Sequence, residues 1–325
     1  MDRNPSHKKA KPETGGIKQS GDADEMGSGR FKIADLHGAW LVLIGVLIIS
    51  PDALLVRLVK ADDMTTAFWR LLILGSTLAL IAFWRGMRRR QSLRHAMMPT
   101  RDEMLAGLFY GGTSACFILS IRNTDAANTL VIIAATPLLS ALIAVFVFKR
   151  VLAMRTWIAS VVVFVSLAAI VGAGFGGANT LGDILALGTA ICMACYFNVV
   201  GTRIHIDAVR AMMVGAFLAT LIMVPSADPL ALQPLDPLWL ILLGCVVLPL
   251  SFLFITAGAK KIPAAEAGLI MLNEAIFGSL LVWLVVDEVP SSTTLICGSI
   301  VIATLAIHSY LGLRNSRRLR AAEAR

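Results

Sequence analysis

Charge is what this sequence has least of. Only 15% of its 325 residues are Asp, Glu, Lys or Arg, and 57% are hydrophobic. An ordinary soluble domain carries about 25% charged and 45–50% apolar residues. With a mean hydropathy of +0.77, most of the chain belongs in lipid. The expectation from length alone, two soluble domains, is therefore excluded.

Metal-binding and nucleophilic residues are scarce as well. The five histidines (His7, His37, His95, His205 and His308) are scattered, with no H-x-x-x-H pair and no Asp-rich loop. No metal site is expected. The same scarcity counts against the main alternative function, a membrane-embedded enzyme acting on a lipid-linked substrate. The five cysteines (Cys116, Cys192, Cys195, Cys245 and Cys297) all fall in apolar runs. Cys192 and Cys195 form a C-x-x-C, but without a second pair or a thioredoxin-like setting they read as small packed residues. No G-x-x-x-x-G-K-[ST] loop is present, and Gly176-Gly177 lacks the lysine such a loop needs. No cofactor and no ATP-driven step are expected.

The net charge of +8 comes in short clusters between apolar stretches. That is a pattern of membrane anchoring, and it excludes nucleic acid as a partner. Residues 1–37 form a polar tail without an apolar core, so they read as a disordered cytoplasmic tail and not a secretory leader. Residues 314–325 read as a second, basic cytoplasmic tail.

Ten apolar segments lie between the tails, at 39–59, 63–84, 104–121, 126–148, 156–174, 182–202, 208–225, 238–258, 263–286 and 292–313. Most are long enough to cross a ~30 Å hydrocarbon layer as helix. If the amino terminus is cytoplasmic, every Lys and Arg except Arg57, Lys60, Arg70 and Arg122 falls in a cytoplasmic tail or loop. The positive-inside rule thus predicts ten spans with both termini cytoplasmic.

The chain repeats itself. The run from Gly182 through Tyr196 to Arg203 follows the order of small, apolar and basic residues seen from His37 to Arg57. At an offset near 138, "NTLVIIAATPLLSALIAVFVFKR" lines up with "AGLIMLNEAIFGSLLVWLVVDEV". Each half holds five spans, an odd number, so the second must insert upside down relative to the first. The predicted fold is an all-α integral membrane protein whose ten transmembrane helices form two inverted five-helix repeats, at 38–175 and 181–313.

On five short motifs the sequence resembles the drug/metabolite transporter superfamily, in its ten-helix EamA-type branch. They are Trp69-Arg70, Ala134-Ala135-Thr136-Pro137, Gly182-Asp183, Leu272-Asn273-Glu274 and Asp287-Glu288. The likeness covers roughly residues 38–312. It departs where Lys149-Arg150 replace the family's Gly-Glu, and where Ala275 replaces the proline that usually follows the ninth-span glutamate. The resemblance implies a carrier, most often an exporter of amino acids, other small metabolites or toxic compounds.

Three ionisable residues sit well inside predicted spans: Asp52, Arg70 and Glu274. Charges at such depth are costly unless they face a bundle interior, a partner or water. Asp52 follows Ser50-Pro51, a site for a broken helix. It lies at the depth of Arg70, so the two are expected to form an ion pair, either a permanent staple or a switchable contact. Glu274, beside Asn273, is a candidate to carry a coupling proton or to meet a cationic part of the substrate; its other reading is interhelical packing. Asn198, the approximate repeat partner of Asp52, and Tyr196 and Tyr110 complete the candidate pathway, though Asn and Tyr also serve as hydrogen bonders between helices. Arg57, Lys60 and Arg122 read as snorkelling groups, with Arg57 near enough to extend an anion path. Arg88-Arg89-Arg90 read as an anchor to acidic headgroups.

The expected function is secondary transport of an amino-acid-like or amphipathic metabolite, by alternating access in the bacterial inner membrane. The expected partners are the lipid bilayer, the small-molecule substrate and a coupling proton. A monomer suffices because one chain carries both repeats; a homodimer is the alternative. A passive channel would show polar stripes along several helices, and none is evident.

Overall fold

The computed structural model describes residues 33–88, 90, 97–149, 153–173, 179–203, 205–262 and 264–323. Most of the amino-terminal tail, Arg89, His95, Arg150 and Gly176-Gly177 lie outside them. Among the described residues, nine helical segments and one bent pair are long and apolar enough to cross a membrane. In chain order they are span 1 (Gly38–Leu58), span 2 (Asp63–Arg88), span 3 (Arg101–Asn123), span 4 (Ala126–Ala134 with Thr136–Val147), span 5 (Met154–Ala173), span 6 (Thr180–Thr202), span 7 (Ala208–Ser226), span 8 (Asp236–Ala259), span 9 (Glu266–Val286) and span 10 (Ser292–Arg314). These lie within a few residues of the ten apolar segments in the sequence. An even number of crossings puts both ends of the bundle on one side, called here the terminal face.

The helix of span 10 runs on to Glu323, so the basic residues from Arg314 stand on its continuation.

Among the described residues, spans 1, 4 and 8 depart from regular helix within their length, each at a proline. Span 1 breaks at Ser50-Pro51 between helices Ile33–Ile49 and Asp52–Leu58. Proline lacks the N–H that would serve the carbonyl of Leu47, and one residue earlier the Ser50 hydroxyl donates to the carbonyl of Val46 at 2.7 Å, beside the Ser50 amide. Span 4 bends by 41° between Ala134 and Thr136. Pro137 cannot donate to the carbonyl of Ile133 there, and the Thr136 hydroxyl supplies the missing donor at 2.5 Å. Span 8 carries a π-helical segment, Leu242–Val247, just before Leu248-Pro249. Widening the helix by one residue accommodates the proline without ending the span.

The main helix contacts come in twins. Span 3 packs on spans 6 and 7, and span 8, its counterpart in the second half, packs on spans 1 and 2. Span 4 meets span 6 as span 9 meets span 1, while the pairs 2/7, 4/9 and 5/10 are their own counterparts. Exchanging the halves therefore reproduces the principal packing, as two inverted five-helix repeats require. The closest approach joins spans 3 and 7. A Cβ built on Gly215 would lie 2.2 Å from the carbonyl oxygen of Gly107, so only hydrogen fits between these backbones.

Candidate functional site

The breaks in spans 1, 4 and 8 surround a cavity at the centre of the bundle. About 660 Å³ of space between atoms is bounded by residues of spans 1, 2, 3, 4, 6, 8 and 9. Asp52, Arg70, Tyr110, Tyr196 and Glu274 all line it. Five of the seven residues singled out in the sequence thus converge from five different helices.

Asp52 and Arg70 form an ion pair. One terminal nitrogen of Arg70 donates to both carboxylate oxygens of Asp52, at 2.8 and 2.7 Å. Only 6% of Asp52 and 2% of Arg70 remain exposed, so the pair is removed from solvent. The guanidinium also lies over the ring of Phe117, 5.4 Å from its centroid. Its positive charge is therefore matched on one side by a carboxylate and on another by an aromatic face.

The rest of the wall is aromatic and weakly polar. Tyr110 and Tyr196 meet with ring centroids 5.7 Å apart, and Phe252 sets its edge against Tyr110 at 6.1 Å. Thr113, Ser114 and Thr189 add hydroxyls. Sequence reasoning missed Phe117, Met193, Phe197 and Phe252, because aromatic and sulfur residues on apolar helices carry no signal separating a cavity wall from lipid contact.

Glu274 stands where this cavity joins a second chamber of about 540 Å³, and it lines both. Its carboxyl has no hydrogen-bond or ion-pair partner among the described residues. Thr136, near the matched position of span 4 in the first repeat, lines the same second chamber. Asn198 and Asn273 belong to neither chamber's lining. The Asn198 amide donates to the carbonyl and hydroxyl of Ser140 and to the Ala194 carbonyl, each at 2.9 Å. It ties span 6 to span 4, and the Asn273 amide returns to the carbonyl of Ile270 in its own helix.

The second chamber leans toward the terminal face, through Phe197, Gly268 and Met271. The opposite face is closed by polar ties between the repeats. Arg57 bonds Glu288 at 2.9 Å and the carbonyl of Thr124 at 2.7 Å, while Glu288 accepts from the amide of Ala126 at 2.6 Å. Asp183 accepts from the Thr124 hydroxyl at 2.7 Å and from Asn128 at 3.2 Å, and Asn128 accepts in turn from Thr294. Partly buried in this cluster, Asp125 is pushed above the usual carboxylate range, first by desolvation and then by Glu288 and Asp183; Arg57 opposes the shift.

Arg122 does not snorkel. It donates to the carbonyls of Val59 and Ala61 at 2.6 Å and pairs with Asp63 at 2.7 Å, fixing the turn between spans 1 and 2. Arg57 is likewise engaged within the protein, through Glu288 and the Thr124 carbonyl. At the terminal face, charge pairs bind only spans 2, 3, 6 and 7 among the described residues: Arg210–Glu103 at 2.7 Å, Arg85–Asp207 at 3.5 Å, and Arg203–Asp102. Spans 4 and 9 carry no such tie there.

Two inverted five-helix repeats around a central, partly polar cavity with discontinuous helices are an arrangement found in membrane transporters. The sequence assigns the chain more closely. The model of the EamA-like transporter family matches it twice, over residues 36–172 and 180–310, and the chain belongs to that family. Fifteen chains of solved structures match its fold. One, described only as "Crystal structure of protein", superposes with a TM-score of 0.61 at 16% identity, covering 84% of this chain and 98% of that chain. At that identity the likeness extends to the fold alone. A search of curated proteins returns no match.

Proposed function

We propose that the protein is a secondary carrier that exports a small amphipathic or amino-acid-like metabolite by alternating access. The observation that carries this reading is a central cavity that leans to one face while cross-repeat ties close the other. With the terminal face cytoplasmic, as the distribution of Lys and Arg favours, this is the inward-facing state, poised to load cargo from the cytoplasm. Export follows when the Arg57–Glu288 and Asp183 ties open and spans 4 and 9 close on the terminal side. Glu274, at the junction of the chambers, is the group suited to exchanging a proton with cargo.

The test begins with cells overexpressing the wild-type chain or Glu274→Gln, whose medium and cell metabolites are compared by mass spectrometry. One compound class should accumulate outside with wild type only. The purified protein in liposomes should then show saturable uptake and counterflow of that compound. Linear, non-saturable flux without counterflow would overturn the carrier mechanism. Profiles identical to empty cells would overturn export.

A further inference from the structure

We infer that the cavity selects a cargo bearing a single cationic group on an aromatic or aliphatic body, with Glu274 as the residue that recognises the charge. This rests on the carrier reading above and specifies what that site would hold.

Among the described residues, three acidic or basic side chains reach the cavity: Asp52, Arg70 and Glu274. Arg70 is already committed. Both oxygens of Asp52 are bonded to one of its nitrogens, and the Phe117 ring lies over the guanidinium. An anionic cargo would meet a guanidinium whose charge Asp52 already balances, with the Arg70 Nε as a buried donor left without a partner, so the pair offers it no net charge attraction. No other Lys, Arg or His lines either chamber. Glu274, by contrast, has no partner among the described residues and faces both spaces. Where water is scarce, a cation that supplies its missing partner is favoured.

The surrounding walls point the same way. Tyr110, Phe117, Tyr196, Phe197 and Phe252 line the central cavity. Aromatic faces carry negative electrostatic potential and attract ammonium groups. The second chamber is almost entirely apolar, with Ile133, Met193, Met271 and Leu272 beside Glu274. A cation on an apolar body meets a charge partner, ring faces and apolar walls together. A zwitterion brings a carboxylate that meets only a guanidinium already neutralised by Asp52, so it binds less well.

Three probes sharing one aromatic body separate these cases: phenethylamine, 3-phenylpropionate and phenylalanine. Binding of each to the full-length protein in detergent is measured by equilibrium dialysis at pH 7. Phenethylamine should bind at least about tenfold more tightly than 3-phenylpropionate, with phenylalanine between them. Glu274→Gln, close to isosteric, should erase the preference, and Glu274→Asp should restore part of it. Thermal unfolding of each variant confirms that the fold persists. Equal or tighter binding of 3-phenylpropionate, or a preference unchanged in Glu274→Gln, overturns the inference. Dialysis needs no transport. A cation preference without counterflow in liposomes would spare the site and sink the carrier reading, whereas counterflow of an anionic compound would do the reverse.

Discussion

At the scale of single residues, the Asp52–Arg70 pair is the most consequential contact. Removing one partner of a buried ion pair leaves an uncompensated charge and costs roughly 3–5 kcal/mol. Arg70→Gln should therefore lower the unfolding temperature sharply in detergent. Asp52→Asn combined with Arg70→Gln should recover much of the loss, a non-additivity read from a double-mutant cycle. A loss in the double variant equal to the sum of the two single losses would show that the pair adds nothing as a pair. Asp125 makes the opposite case. Its folded-state pKa is raised, so its stabilising contribution is complete at acid pH and is lost as pH rises through the folded value. Asp125→Asn should then stabilise the protein at neutral pH, and the difference should vanish on acidification. Its side chain makes no helix-capping bond that the substitution would remove. The ion pair was legible in the sequence because a charge inside an apolar run must find a partner. The roles of Arg57 and Arg122 were not, since a basic residue at a span end satisfies headgroups and backbone carbonyls equally well.

At the scale of an element, span 4 shows how a membrane helix tolerates a bend. The carbonyl released by Pro137 is taken by the Thr136 hydroxyl. Thr136→Val keeps the shape and removes the donor, which should cost about 1–3 kcal/mol for an unsatisfied buried carbonyl. Adding Pro137→Ala restores a backbone N–H and should return most of that stability. The same double variant should reduce transport if the 41° bend is needed to shape the second chamber. Gly215 offers a simpler test, because a methyl group there meets the Gly107 backbone. Gly215→Ala should destabilise by about 1–3 kcal/mol. The ten spans were readable because length and hydropathy alone decide what can cross a bilayer. The break in span 1 followed from Ser50-Pro51. The bend in span 4 did not, because the Ala134-Ala135-Thr136-Pro137 run lies within a continuous apolar stretch and whether a proline bends a helix depends on which neighbour serves the freed carbonyl.

At the scale of the whole molecule, the opposite face is held by few ties, and one of them is removable without touching the cavity. Glu288→Gln weakens the ionic contact to Arg57 and should raise the labelling rate of a cysteine placed at Ile49, in an otherwise cysteine-free protein, by reagents applied from that side. An unchanged rate would mean that this tie does not hold the face closed. The paired packing carries a further consequence. If exchanging the halves leaves the principal helix contacts unchanged, a conformer open to one face and its mirror open to the other are built from nearly the same interactions. Their energies would be degenerate in a chain of two identical halves, and net vectorial bias would have no molecular origin. Here the halves differ at most matched positions, among them Glu274, which has no acidic counterpart in span 4, and the span ends at Lys149-Arg150 and Asp287-Glu288. Those mismatches are where a resting preference for one side is encoded. Swapping them between the halves, without altering the cavity's aromatic wall, should invert the side on which the empty protein rests.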